Sequence, residues 1–327
     1  MPTRRQLMCA LTGSAAGLWL PSTSFAQLGK SARIVVGFPP GGSADLIARA
    51  LASQMTGYAQ SLIVENKAGA GGRIAIEAVK ASEADGATLL ITPSSMVSVY
   101  PHVYRKLNYD MARDFVPVTE LASFPFVLVV GPLVPENVKT LPDFLAWAKA
   151  NPREASYASP GNGTTPHFIG AMLARASQVP MTHVAYKGGA QAMNDVLGGQ
   201  IASNMAVISN ALPQIQAGKL RALAVTGPQR NKALPQVPTF VESGFRDLNM
   251  LEWFGLFAPA RVPADQVKRL SDQAQQALRS QPVQEALTKA GFDPAAPGDP
   301  ASFGAMMKAD QARWASIVKA SHFTPEE

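Results

Sequence analysis

Phe38-Pro39-Pro40-Gly41-Gly42-Ser43-Ala44-Asp45, directly after the β-branched run Ile34-Val35-Val36, decides how this 327-residue chain is read. A strand-like stretch over 33–38 stops at two prolines and two glycines. A helical pattern over 43–56 follows at once, with Leu46, Ile47, Ala50 and Leu51 on one face. Strand, tight loop and helix N-terminus together leave unsatisfied amide N–H groups and the positive end of a helix dipole facing whatever lies over the loop. Small anions, carboxylates included, suit such a place. A phosphate loop would need G-x-x-x-x-G-K-[ST], which is absent, and the glycines at 69–72 fail the dinucleotide pattern because Ile74 stands where its third glycine belongs.

Outward from this stretch, strands alternate with helices. Ser61 to Val64 reads as a second strand; a Gly-rich loop then leads into a helix carrying Ile74, Ile76 and Val79. Thr88 to Thr92 reads as a third, ending at Pro93-Ser94-Ser95, where either serine is placed to cap the next helix. Apolar strands separated by helices predict a parallel sheet covered on both faces, whose ligands sit at the carboxyl ends of the strands. Loops 38–45, 66–72 and 93–95 then share one end. A second unit begins at Phe126-Val127-Leu128-Val129-Val130. It repeats the design: a strand at 155–158, the loop Ser159-Pro160-Gly161-Asn162-Gly163-Thr164-Thr165 with a threonine cap, and a helix over 166–177. Strands at 182–185, 201–207 and 220–225 flank helices at 190–198 and 208–217. Trp253 to Ala258 reads as a strand returning to the first unit. Two helices are expected after it, one on Val267, Leu270, Ala274 and Leu278, the other on Phe303, Met306, Met307, Trp314 and Ile317, interrupted by Asp310.

Composition narrows the function. Arg4 and Arg5, the apolar segment Leu7 to Leu20 and Ser24-Phe25-Ala26 make an export signal over 1–26, of the Tat or Sec kind, with cleavage expected after Ala26 and the mature protein in the periplasm. Cys9, the single cysteine, lies inside that signal, so no disulfide, thiol nucleophile or thiolate metal site is expected. Charged residues make up 16% and hydrophobic residues 47%, the balance of a well-buried globular protein. The net charge of +6 is scattered rather than striped, which argues against nucleic acid. With four histidines, no H-E-x-x-H and no G-x-S-x-G, a His-based metal site or catalytic triad has little raw material. The expectation is no catalytic residue, metal or cofactor.

From Ile34 to Trp314 the sequence resembles the Bug-type receptors, the extracytoplasmic solute-binding components associated with tripartite tricarboxylate transporters. The matching stretches are Phe38–Asp45, Glu65-Asn66 with Gly69–Gly72, Asp85-Gly86 with Thr88-Leu89-Leu90, and Asp114-Phe115 with Pro117-Val118. They continue at His183 with Tyr186-Lys187-Gly188, at Gly198-Gly199, at Gly218 to Val225, at Leu234 to Thr239, and at Trp253 with Gly255 and Ala258-Pro259.

The resemblance implies an α/β, two-lobed type II periplasmic-binding-protein fold with a ligand cleft between the lobes. It divides the chain into lobe one (27–127 plus 250–327) and lobe two (128–249). It implies a ligand carboxylate held by backbone amides and water around Phe38, Pro39, Gly41, Gly42, Ser43 and Asp45, with Ser94 and Ser95 nearby. Lobe two would supply Ser159, Gly161, Gly163, Thr164, Tyr186, Lys187 and Gly188. The family's strand at 201–206 usually carries an acidic residue near its end. Here that position is Ala206, so a ligand ammonium is expected to lack its partner and a plain carboxylate, a di- or tricarboxylate or an aromatic acid, to be preferred. The implied partners are membrane transporter subunits or, alternatively, the ectodomain of a sensor kinase, with the receptor a monomer. Plainer roles are open for several of these residues: Asp45 as a dipole-stabilised carboxylate, Lys187 as a solvated cation, His167 and His183 as packing.

Overall fold

The structure is a computed structural model that describes residues 31–321 and Phe323; the expected export signal and its cleavage site lie outside them. Eleven strands are defined among the described residues: β1 (Ala32–Val36), β2 (Leu62–Asn66), β3 (Thr88–Pro93), β4 (Phe115–Phe124), β5 (Phe126–Val130), β6 (Ser156–Ser159), β7 (Thr182–Ala185), β8 (Ser203–Val207), β9 (Arg221–Val225), β10 (Glu252–Pro259) and β11 (Asp293–Pro294). They form two sheets, in the orders β11-β4-β10-β3-β1-β2 and β7-β6-β8-β5-β9.

The run Ile34-Val35-Val36 forms the strand it suggests, because both faces of β1 are covered. β1 pairs in parallel with β2 and β3, so the three loops after these strands do emerge at one end. The rest of this sheet departs from the expected parallel pattern: β10 lies antiparallel between β3 and β4. β4 was not legible as a strand, since Pro117 and Glu120 break its apolar pattern. Pro117 is accommodated at a register shift in its pairing with β10, where a missing N–H donor costs less.

Only Pro125 separates β4 in the first sheet from β5 in the second, and the chain returns between β9 and β10. The two crossings are tied together: Phe126 N donates to Thr226 Oγ1 (2.8 Å) and Thr226 N donates to Phe126 O (2.9 Å). Phe124, Phe126, Phe254 and Phe292 cluster here, with Phe124 stacked on Phe254 at 4.8 Å.

The final helix, Pro300–Ser321, runs without interruption through Asp310. That carboxylate is buried because it accepts from Trp253 Nε1 (3.1 Å) and pairs with Arg313 (2.7 Å), which compensates its desolvation. A helix at Gln281–Lys289, weakly patterned in sequence, stands between the two expected ones.

Candidate functional site

Between the sheets lies a cavity of about 290 Å³, walled largely by Phe38, Met96, Phe124, Phe126, Phe254 and several prolines. Its polar rim is built from helix beginnings. Gly42, Thr164, Gly188 and Val207 all line it, and they are the N-cap residues of helices Ser43–Gln54, Thr165–Ser177, Gly189–Leu197 and Ile208–Gln216. None of the four makes a side-chain cap hydrogen bond. The threonine cap expected of Thr164 is not formed; its hydroxyl donates back to Gly161 O instead (2.7 Å). Four helix ends, each carrying about half a positive charge, thus converge on one apolar cavity, although the first amides of two are already bonded, Thr165 N to Ser95 Oγ and Ile208 N to Pro125 O.

A fifth N-terminus is treated differently. The π-helical turn Ser95–Val99 follows β3, and neither Ser94 nor Ser95 caps it. Its amide Ser95 N donates to Glu252 Oε1 (2.7 Å), which also accepts from Ser95 Oγ (2.5 Å). Glu252 opens β10, lines the cavity and is 3% exposed. Burial pushes its carboxyl up to about 7, with Asp310 adding to the shift and hydrogen bonds from Ser95 and the Ser94 side chain opposing it.

The two sides of the cavity touch directly. Ser43 Oγ lies 2.7 Å from Ser209 Oγ and donates to Asn210 Oδ1 (3.2 Å). Thr165 N donates to Ser95 Oγ (3.2 Å), and the two hydroxyls are 3.0 Å apart. Gly163, at φ +66°, approaches Val103 so closely that a Cβ would stand 2.7 Å from Val103 Cγ2. Glycine is required there for both its backbone angle and the contact.

The family model "Tripartite tricarboxylate transporter family receptor" matches residues 47–323. The chain belongs to this family. Protein BugT of Bordetella pertussis is 31% identical over 97% of both chains. Among solved structures, periplasmic binding protein BugD superposes with a TM-score of 0.85 at 30% identity, covering 91% of this chain and 99% of its own. R. palustris Rpa4515 with adipate gives the same TM-score, identity and coverage. The fold is thus the two-lobed α/β fold of periplasmic binding proteins, and the family is one of solute receptors rather than enzymes.

Against that family's expected site, eight residues line the cavity: Phe38, Pro39, Gly42, Ser43, Ser95, Thr164, Lys187 and Gly188. Gly161 and Tyr186 line an adjoining cavity of about 340 Å³, which shares Phe38, Pro39, Pro160 and Lys187 with the first and adds Arg73. Tyr186 donates its hydroxyl to Asp195 (2.6 Å); burial and that acceptor push the phenol up to about 12. The others stand behind the wall. Gly41 N donates to Asp45 Oδ2 (3.0 Å), and the same oxygen pairs with Arg49 (2.8 Å). Ser159 Oγ donates to Gly161 O and meets His183 Nε2 at 2.7 Å. Gly163 N donates to His167 Nδ1 (3.1 Å), Ser94 is buried at the start of its turn, and Ala206 pairs with Val127 inside the second sheet.

Ala206 is buried in the second sheet, so its lack of charge does not leave the cavity without an acid; Glu252 supplies one from the other sheet. Sequence reading missed Glu252, Asn210 and Gln191. The signal that could have found Glu252 is an acidic residue at the head of an otherwise apolar strand, a place where a charge needs a reason.

His167 and His183 line neither of these two cavities. Their rings stack 3.8 Å apart, and burial holds them down to about 4 and about 3.

Proposed function

We propose that this chain is a periplasmic receptor that clamps one small carboxylate ligand between its lobes and hands it to a membrane transporter of the tripartite tricarboxylate type. The observation that carries this reading is the convergence of four uncapped helix N-termini on one apolar cavity. Such a site neutralises a carboxylate with backbone dipoles and leaves its carbon skeleton against phenylalanine. The adipate held by the R. palustris relative is a solute of that chemistry. The lobes, acting in a single chain, comprise 27–127 plus 250–327 and 128–249, and they hinge at the paired crossings Phe126 and Thr226.

A thermal-shift screen of protein refolded free of ligand tests the reading. The panel holds di- and tricarboxylates, aromatic acids, amino acids and neutral amides. A ligand at about 100 times its dissociation constant adds about 2.7 kcal/mol, which raises the melting temperature by a few degrees in a chain of this size. A shift with a carboxylate class and none with the amides is expected. Silence across all carboxylates overturns the reading.

A further inference from the structure

Glu252 is an anion-forming group inside a cavity otherwise built to receive an anion. Its Oε1 is occupied by Ser95, whose hydroxyl proton is committed to it while Thr165 N donates to that hydroxyl from the opposite side of the cleft, and the Ser94 side chain is a further hydrogen-bond partner of the carboxyl. Among the described residues no lysine, arginine or histidine forms an ion pair with it. Beside it stand aromatic rings: Phe124 is its direct partner across β4, Phe254 follows two residues on, and Phe126 completes the wall. A buried carboxylate without a cation is costly. Phe124 and Phe254 stack on each other at 4.8 Å, so the rings beside it form an apolar wall that offers the carboxylate no compensating charge. A second carboxylate pressed against this end would be repelled, so the ligand's carboxylate belongs at the helix N-termini and a hydrogen-bond donor belongs here.

We infer that Glu252 is the specificity-determining residue of the cavity and selects a ligand that carries an ammonium as well as a carboxylate, an amino carboxylate rather than the plain acid expected from Ala206. This inference rests on the receptor reading above. Ammonium meets Glu252 beside the phenylalanine wall; carboxylate meets the helix beginnings at Gly42, Thr164, Gly188 and Val207. Ionisation of Glu252 is favoured by the incoming cation and opposed by burial. The other titratable groups that bear on it are Asp310 from the final helix and Tyr100 from the helix after the Ser95 turn.

The test is calorimetric titration of ligand-free protein with matched pairs: L-glutamate with glutarate, and 6-aminohexanoate with hexanoate. Wild type should bind the amino member of at least one pair about tenfold tighter or more. In Glu252→Gln, which keeps an acceptor for Ser95, that preference should fall to within about threefold. A second measurement needs no variant. Between pH 6 and pH 8 wild-type affinity for the amino member should rise as Glu252 ionises, while that for the deaminated member does not. Equal or tighter binding of the deaminated acids by wild type, or an undiminished preference in Glu252→Gln, overturns the inference and leaves the receptor standing. Failure of every carboxylate to bind overturns both.

Discussion

Asp45 reaches back from the first turn of its helix to take the amide of Gly41 and the guanidinium of Arg49. It holds the 38–42 loop in shape without lining the cavity. Those hydrogen bonds and the ion pair keep its carboxyl below the usual range despite burial. A depressed acid contributes stability that is present above the unfolded value and lost as pH falls. Asp45→Asn should therefore destabilise the protein at pH 7 by about 1–2 kcal/mol in urea unfolding, with a smaller deficit near pH 3. Gly163 makes the opposite kind of prediction. Alanine there is strained at φ +66° and meets Val103 only when the lobes touch. Gly163→Ala should weaken ligand binding by about tenfold or more, a loss that calorimetry would register, and Gly218→Ala is the control. Position 218 has a similar φ with open space around it.

At the scale of elements, the two stacked histidines link strand β7 to the helix Thr165–Ser177, whose N-terminus faces the cavity. Both are held neutral far below the ordinary histidine value, so the unfolded chain binds their protons first as pH falls below about 6.5. Their contribution is a loss of stability from about pH 6.5 downwards. Glu252 runs the other way: its raised value makes the folded state bind the proton first, so its burial costs stability as pH rises from about 4.5 to about 7. Difference profiles separate the two. Relative to wild type, His183→Gln should flatten the acid limb, and Glu252→Gln should gain stability towards pH 8, by no more than about 1.4 kcal/mol per pH unit between. A Glu252→Gln profile parallel to wild type would show that its carboxyl titrates normally.

Elements were also where sequence was most and least informative. The loop after β1 was legible because Pro-Pro-Gly-Gly between an apolar run and a helical stripe has few other readings. β4 was hidden because its neighbours β10 and β11 are remote in sequence, and its own pattern is broken by Pro117. The caps were misread for a physical reason. Ser94, Ser95 and Thr164 have the right chemistry at the right positions, yet their hydroxyls bond other partners, and the amides Ser95 N and Thr165 N are taken by Glu252 and by the Ser95 hydroxyl. Glu252 could not be placed because only its register opposite Phe124 turns it towards the cavity.

Across the whole molecule, two sheets joined by two adjacent crossings meet over a cavity that both sheets furnish. Contacts between the lobes are both apolar and polar: Phe168 packs on Trp314 and Gly163 approaches Val103, while Ser43 bonds Ser209 and Asn210, and Ser95 bonds Thr165. Polar contacts of this kind contribute about 1 kcal/mol each, which suits a closure that depends on ligand. Ser95→Ala removes one of them together with a donor to Glu252. It should loosen the closed form, seen as a smaller decrease in radius of gyration by small-angle scattering when ligand is added.

The central claim is that helix N-termini in this cleft recognise a carboxylate. The most direct test is a calorimetric comparison of the best ligand from the screen with its carboxamide, on protein refolded free of ligand. One-to-one binding of the acid, with the isosteric amide weaker by about a hundredfold or more, is the predicted result. Equal affinity for acid and amide would contradict it.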